Sequence, residues 1–191
     1  MESGAATELI LVRHAPALTG GRLCGRTDVA ADCGNARQFR AVREAIGTTD
    51  RVLSSPALRC VQTAKALWQD DAPPETDPAF WEQDFGSWEG QDTRNLPDLG
   101  PLDPASLASH RPPAGESFAD LCARVEPALR AASAGGRVAI IAHAGTVRAA
   151  LALALGSVPA ALCFEIAPLS ITRLRMNPGG STVLCVNWTP S

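Results

Sequence analysis

The chain alternates short unbroken apolar runs with longer segments whose apolar residues recur every three or four positions. Leu9-Ile10-Leu11-Val12 is four apolar residues in a row, and it reads as a short strand buried on both faces. Residues 51–55 and 137–142 read as two more strands. Leu58, Val61, Ala64 and Leu67 fall on one face of a helix over 57–68, which Pro56 can start. Phe118, Leu121, Val125 and Leu129 do the same for a helix that follows Ser117 and runs to about Ala132. Asn35 is placed to cap a helix over 36–46, and residues 144–155 form a helix that starts at His143. Residues 163–167, 169–176 and 182–188 read as strands, the last two joined by the turn Asn177-Pro178-Gly179-Gly180. Between these lie a long loop over 16–34, an acidic proline-rich connection over 70–78 with a short strand at Glu75-Thr76, and an irregular stretch over 91–113 with short helices near Leu96 and Ser106. The alternation predicts an α/β fold: one domain over 1–191, a three-layer sandwich with helices on both faces. Its central sheet is mostly parallel, with an antiparallel edge strand from the closing hairpin.

In open α/β sheets ligands gather at the carboxyl ends of the strands. Two predicted strands end directly in a histidine, His14 and His143, in a chain with only three His. Arg13 beside His14 offers a planar donor fork suited to phosphate, and Arg59 falls in the first turn of its helix, near free backbone N–H groups. A further segment, Phe80-Trp81-Glu82-Gln83-Asp84-Phe85-Gly86-Ser87-Trp88-Glu89-Gly90, sets carboxylates among aromatic rings. It reads either as an aromatic cluster under a loop or as a general acid whose pKa apolar walls would raise. Spacing does not choose between these two readings.

Composition narrows the classes. At 46% hydrophobic, 19% charged and a net charge of −3, the chain has no basic field to draw nucleic acid or a membrane surface. Its six cysteines contain no C-x-x-C pair, so a zinc or redox motif is not expected. Residues 1–8 have no signal-peptide pattern, and the apolar run over 149–155 stops at Gly156 and Pro159, far short of a membrane span. A cytoplasmic protein with free thiols is the expectation.

Taken in order, Leu11-Val12-Arg13-His14, Ser54-Ser55-Pro56 with Arg59 and Gln62-Thr63-Ala64, Glu82 with Phe85-Gly86 and Trp88-Glu89-Gly90, Gly115-Glu116-Ser117, and Ala142-His143 resemble the histidine phosphatase superfamily, the phosphoglycerate mutase-like fold. The length and the Glu82–Gly90 block look most like the alpha-ribazole phosphatase-like branch. The resemblance implies a metal-independent phosphatase that hydrolyses a small phosphomonoester through a phosphohistidine, with alpha-ribazole phosphate a family-level candidate substrate and no cofactor. It implies His14 as nucleophile, Arg13, Arg59 and His143 on the phosphate oxygens, and Glu82 as the acid that protonates the leaving oxygen. Helix starts after His143 and around Ala57 add N–H dipoles, and Gly25 and Ala144 offer backbone contacts to phosphate. The partners implied are a small phosphorylated metabolite and inorganic phosphate as product.

The sequence departs from the family pattern in three places. Ala15 stands where Arg-His-Gly is usual, residues 16–21 contain no Asn, and Ala144 follows the second histidine. Two other functions remain in view: a cofactor-dependent phosphoglycerate mutase, which would need a further basic cluster where residues 91–111 offer only Arg94 and Arg111, and an inactive binding module. Arg22 and Arg26 are either substrate contacts or plain surface charges. His110 reads as a solvated loop residue, and Arg124 as lying on the outer face of its helix.

Overall fold

The protein is described by a computed structural model over residues 5–69 and 74–191. Residues 1–4 and 70–73, the start of the N-terminal segment and part of the acidic connection, lie outside the described residues. Six strands form one sheet in the order β3-β2-β4-β1-β5-β6: β1 Thr7–Arg13, β2 Arg51–Ser54, β3 Glu75–Thr76, β4 Gly136–Ala142, β5 Ile171–Asn177 and β6 Gly180–Trp188. The first four strands of that order pair in parallel. β5 is reversed and pairs antiparallel with both β1 and β6, so the closing hairpin builds the antiparallel edge.

Leu9, Ile10, Leu11 and Val12 have no exposed surface. Side chains alternate across a strand, so Ile10 and Val12 face one helical layer and Leu9 and Leu11 the other, and an unbroken apolar run is what a doubly covered strand requires. On the first side lie α1 (Ala36–Ile46) and α2 (Leu58–Trp68), through Phe39, Val42, Ile46, Cys60, Ala64 and Leu67. On the second lie α3 (Pro104–Ser109), α4 (Phe118–Ala132), α5 (Ala144–Leu155) and α6 (Val158–Ala161). Asn35 caps α1 by accepting from the Gln38 N–H, and Ser117 opens α4 through a reciprocal box with Asp120. Gly156 ends α5 in the left-handed region, where a residue without Cβ carries no steric cost. Among the described residues no helix is long and apolar enough to cross a membrane.

The strand expected over 163–167 does not form. The chain there is an irregular connection after α6. Its carbonyls find side-chain donors instead of a neighbouring strand: Phe164 O accepts from Arg148 Nε at 2.9 Å and Ile166 O from Arg13 Nη1 at 2.5 Å. The next strand starts at Ile171 rather than Leu169, because Leu169 turns with a φ of 58°. That turn is tied to β1, with the Leu169 N–H donating to Arg13 O and the Arg13 N–H to Ser170 O.

Candidate active site

β1 and β4 are adjacent, parallel and in register from Thr7 with Gly136 to Arg13 with Ala142. Parallel pairing without offset brings His14 and His143 out side by side at the carboxyl edge, their ring centroids 5.2 Å apart and edge to face. The His14 N–H donates to Ala142 O, and the Ser55 N–H at the end of β2 donates to Ile141 O. Three adjacent strands therefore deliver three polar side chains, His14, His143 and Ser55, to one place.

His14 is buried, and its Nδ1 lies 2.7 Å from its own neighbour's carbonyl, Ala15 O. A carbonyl only accepts, so Nδ1 carries the proton and Nε2 keeps its lone pair. Burial, with Arg59 and Arg13 adding against the one favourable hydrogen bond to Ala15, lowers the His14 pKa to about 3. The ring is thus neutral at ordinary pH. His143 has no exposed surface, and burial followed by the charge of Arg59 pushes its pKa well below the usual value. Its Nε2 lies 2.9 Å from Ser55 Oγ and 3.5 Å from Cys60 Sγ. Burial raises the Cys60 thiol, so it stays protonated against the imidazole.

Two guanidinium groups flank these rings. Arg59, only 1% exposed, donates to Gly25 O at 2.7 Å and to Thr27 O at 3.2 Å. Arg13 spends one donor on Ile166 O, while its Nε is buried with no hydrogen-bond partner. A buried guanidinium donor left unpaired is costly unless an anion meets it. Trp81 walls the site, stacked on His143 at 6.4 Å, with Arg59 and Arg26 at 6.0 and 5.7 Å from its ring.

The three carboxylates of the aromatic segment separate cleanly. Asp84 caps its own turn through the Gly86 N–H. Glu89 faces away, accepting from the N–H groups of Gly25, Arg26, Thr27 and Phe85 and from the Thr27 hydroxyl. Glu82 accepts from the Gly145 N–H at 3.2 Å, at the start of α5, and lies close enough to Arg13 to feel its charge. Gly145 is what permits this approach: a Cβ there would lie 2.1 Å from the Glu82 Oε1.

Several expected contacts are placed differently. The Gly25 N–H is bonded to Glu89 and is not offered to an anion, and the glycine is needed because a Cβ would sit 1.9 Å from Gln83 O. The start of α2 already carries an anion, since the Asp28 carboxylate accepts from the Leu58 N–H at 2.8 Å. Ala144 stands at the first position of α5, where an N–H has no partner within the helix. Ala15 keeps an ordinary φ and donates its N–H to Thr63 Oγ1, so the methyl group fits where glycine is usual. Arg22 is exposed and bound to Gly90 O, whereas Arg26 sits at the wall. His110 is not a solvated loop residue: it is half-buried and stacked on Trp88 with ring centroids 5.7 Å apart, an offset stack that takes part of both ring faces out of water. Arg124 is not on an outer face either; its side chain turns under the 79–82 segment and donates to three carbonyls there. Helical spacing gives the side of an element, not what the neighbouring loop brings to it. Ser55, Thr63, Gly145, Arg124 and the loop-holding role of Glu89 went unassigned from sequence, although most sit within motif blocks.

No curated protein matches the chain. Solved structures of the same fold include the alpha-ribazole phosphatase from Shigella flexneri, 21% identical with a TM-score of 0.80 over 96% of this chain and 97% of that one. A mycobacterial glucosyl-3-phosphoglycerate phosphatase is 23% identical with a TM-score of 0.80, over 97% and 100%. The phosphoserine phosphatase from Entamoeba histolytica, as a histidine-to-alanine mutant with phosphoserine, is 22% identical with a TM-score of 0.76, over 96% and 98%. The sequence pattern of the histidine phosphatase superfamily (branch 1) matches residues 9–189, and the chain belongs to that superfamily.

Proposed function

We propose that this phosphatase hydrolyses a small phosphomonoester through a phosphohistidine on His14, without a metal ion. One observation carries the reading: a buried His14 whose Nδ1 is taken up by Ala15 O, leaving the Nε2 lone pair free on a ring that feels the charges of Arg59 and Arg13. In the first step Nε2 attacks phosphorus, the P–O bond to the leaving group breaks, and Glu82 gives its proton to the leaving oxygen. In the second step Glu82 takes a proton from water as the water oxygen attacks phosphorus, the P–N bond breaks, and inorganic phosphate leaves. Arg13 and Arg59 hold the three equatorial oxygens, where the charge of the transferring group is spread. His143, neutral and braced by Ser55, donates to the same oxygens. The N–H of Ala144 at the start of α5 adds a further donor. Two guanidiniums and these N–H groups supply the positive charge that a metal supplies elsewhere.

The mutase reading is less well supported. Arg94 is paired with Asp92 and Arg111 with Asp120, both at exposed positions, so neither contributes to a second phosphate site. An inactive module would have no use for two arginine charges gathered on a buried imidazole whose second nitrogen is free. Relatives of this fold bear three different substrate names, and alpha-ribazole phosphate is the first candidate here. The six free cysteines suit a reducing cytoplasm.

Rapid quenching of p-nitrophenyl phosphate turnover in EDTA tests the mechanism. The wild type should yield an acid-labile, base-stable phosphoryl adduct on His14, and His14→Ala should yield neither adduct nor turnover. Comparable turnover by His14→Ala would refute it. A panel of phosphorylated metabolites compared by kcat/KM then identifies the substrate.

A further inference from the structure

The carboxylate Glu82 is borne on an irregular segment, residues 79–84, with no strand or long helix to fix it. A general acid must lie within hydrogen-bond reach of the leaving oxygen, so something must hold this segment. Arg124, two turns into α4, does so from beneath. Its Nη1 donates to Ala79 O at 2.7 Å and Trp81 O at 3.2 Å, and its Nη2 to Glu82 O at 3.3 Å. The same guanidinium grips Glu116 through Nε to Oε1 at 2.8 Å and Nη2 to Oε2 at 2.9 Å.

Glu116 carries the grip further along the segment. Its Oε2 accepts from the Asp84 N–H at 3.1 Å, and its backbone N–H donates to Asp84 O at 2.8 Å. Its carbonyl accepts from Gln83 Nε2 at 2.7 Å. Five residues of the segment are thereby tied to one ion pair whose two side chains are each 22% exposed. A bidentate pair of this kind fixes direction as well as distance. Glu116 also lies 3.6 Å from Arg26, which covers the Trp81 ring at the site wall.

We infer that Arg124 and Glu116 are positioning residues for Glu82, setting its carboxyl between the start of α5 and the leaving oxygen. The inference rests on Glu82 being the acid. A lysine at 124 would keep the charge, but one ammonium cannot reach two carboxylate oxygens and three carbonyls together. Glu82 would then drift, and the drift would be felt only where the leaving group needs a proton. A purely structural role would instead lower the folded fraction and slow all substrates by one factor.

The test is kcat/KM for an alkyl phosphate and for p-nitrophenyl phosphate, measured for the wild type, Glu82→Gln, Arg124→Lys and the double variant. Arg124→Lys should lose about tenfold or more on the alkyl phosphate and less than about threefold on p-nitrophenyl phosphate. In the Glu82→Gln background Arg124→Lys should add no further contrast, because the group it positions is gone. Equal losses on both substrates, or contrasts that multiply, would overturn the inference while leaving Glu82 as the acid. If Glu82→Gln itself shows no contrast, the acid assignment fails and the inference falls with it. Should Arg124→Lys not fold, Glu116→Gln, which keeps volume and loses the ion pair, must show the same contrast in smaller measure; uniform loss there would also overturn it.

Discussion

Glu89→Gln separates the loop that holds Arg59 from the chemistry itself. The Glu89 Oε1 accepts from the N–H groups of Gly25, Arg26 and Phe85 at 3.1, 2.8 and 3.2 Å, and Oε2 from the N–H and hydroxyl of Thr27 at 3.0 and 2.7 Å. The carbonyls of Gly25 and Thr27 are the acceptors for Arg59. A glutamine keeps one acceptor oxygen for the first three donors, but sets an amide nitrogen against the Thr27 N–H and removes the charge from every bond. Hydrogen bonds to a charged group are worth about 1.5–3 kcal/mol, and partial exposure reduces that here, so a net loss of about 2 kcal/mol is expected. For a chain of this length that is a Tm lower by roughly 4–8 °C. Vanadate, an analogue of the transferring phosphoryl group, should bind about five- to tenfold more weakly as Arg59 loses its brace.

The loss should also depend on pH. Burial pushes the Glu89 pKa up, but the bonds from Thr27, Arg26 and Phe85 outweigh it and hold the carboxyl below its ordinary value. A depressed folded pKa gives stability that is complete above the ordinary carboxylate pKa and is lost as pH falls through the folded value. The wild type and Glu89→Gln should therefore differ most near neutrality and converge in acid. Calorimetry at several pH values, with vanadate titration, reads both effects. An unchanged Tm together with unchanged vanadate affinity would refute the bracing role.

Arg59→Ala should lower kcat/KM by roughly 30- to 1000-fold, the range for about 2–4 kcal/mol of lost transition-state stabilisation, while Arg130→Ala, on an exposed pair with Glu126, should change it little; equal effects would mean the pocket is misplaced. His14 is neutral in the fold down to about pH 3, whereas the unfolded chain takes up its proton near 6.5, so stability should rise with pH between those values. At pH 5 this costs the wild type about 2 kcal/mol that His14→Asn does not lose, so chemical denaturation curves of the two should diverge from pH 7 to 5; parallel curves would refute the neutral, buried histidine.

What the sequence by itself determined is local. The four apolar residues at 9–12 are a strand covered on both faces, their side chains alternating between the two helical layers, and the helical spacing of Leu58 to Leu67 and Phe118 to Leu129 likewise reports one buried face. Both strand-to-histidine junctions and the Arg59 helix were legible for that reason, and the motif blocks carried the family. Tertiary structure decided which strands lie together, and with it that His14 and His143 meet: periodicity says that a residue is buried, not against what. The same limit explains the connection at 163–167, apolar enough for a strand but left without a neighbouring one, so that its carbonyls went to Arg13 and Arg148. It explains the three carboxylates at 82, 84 and 89, alike in sequence, of which only Glu82 faces α5 while Glu89 binds a loop more than sixty residues away. Arg124 shows it most plainly. Spacing set it on an outer face, but its three carbonyl partners come from a segment with no period of its own, and hydrogen bonds to such a segment exist only once the chain has closed around it.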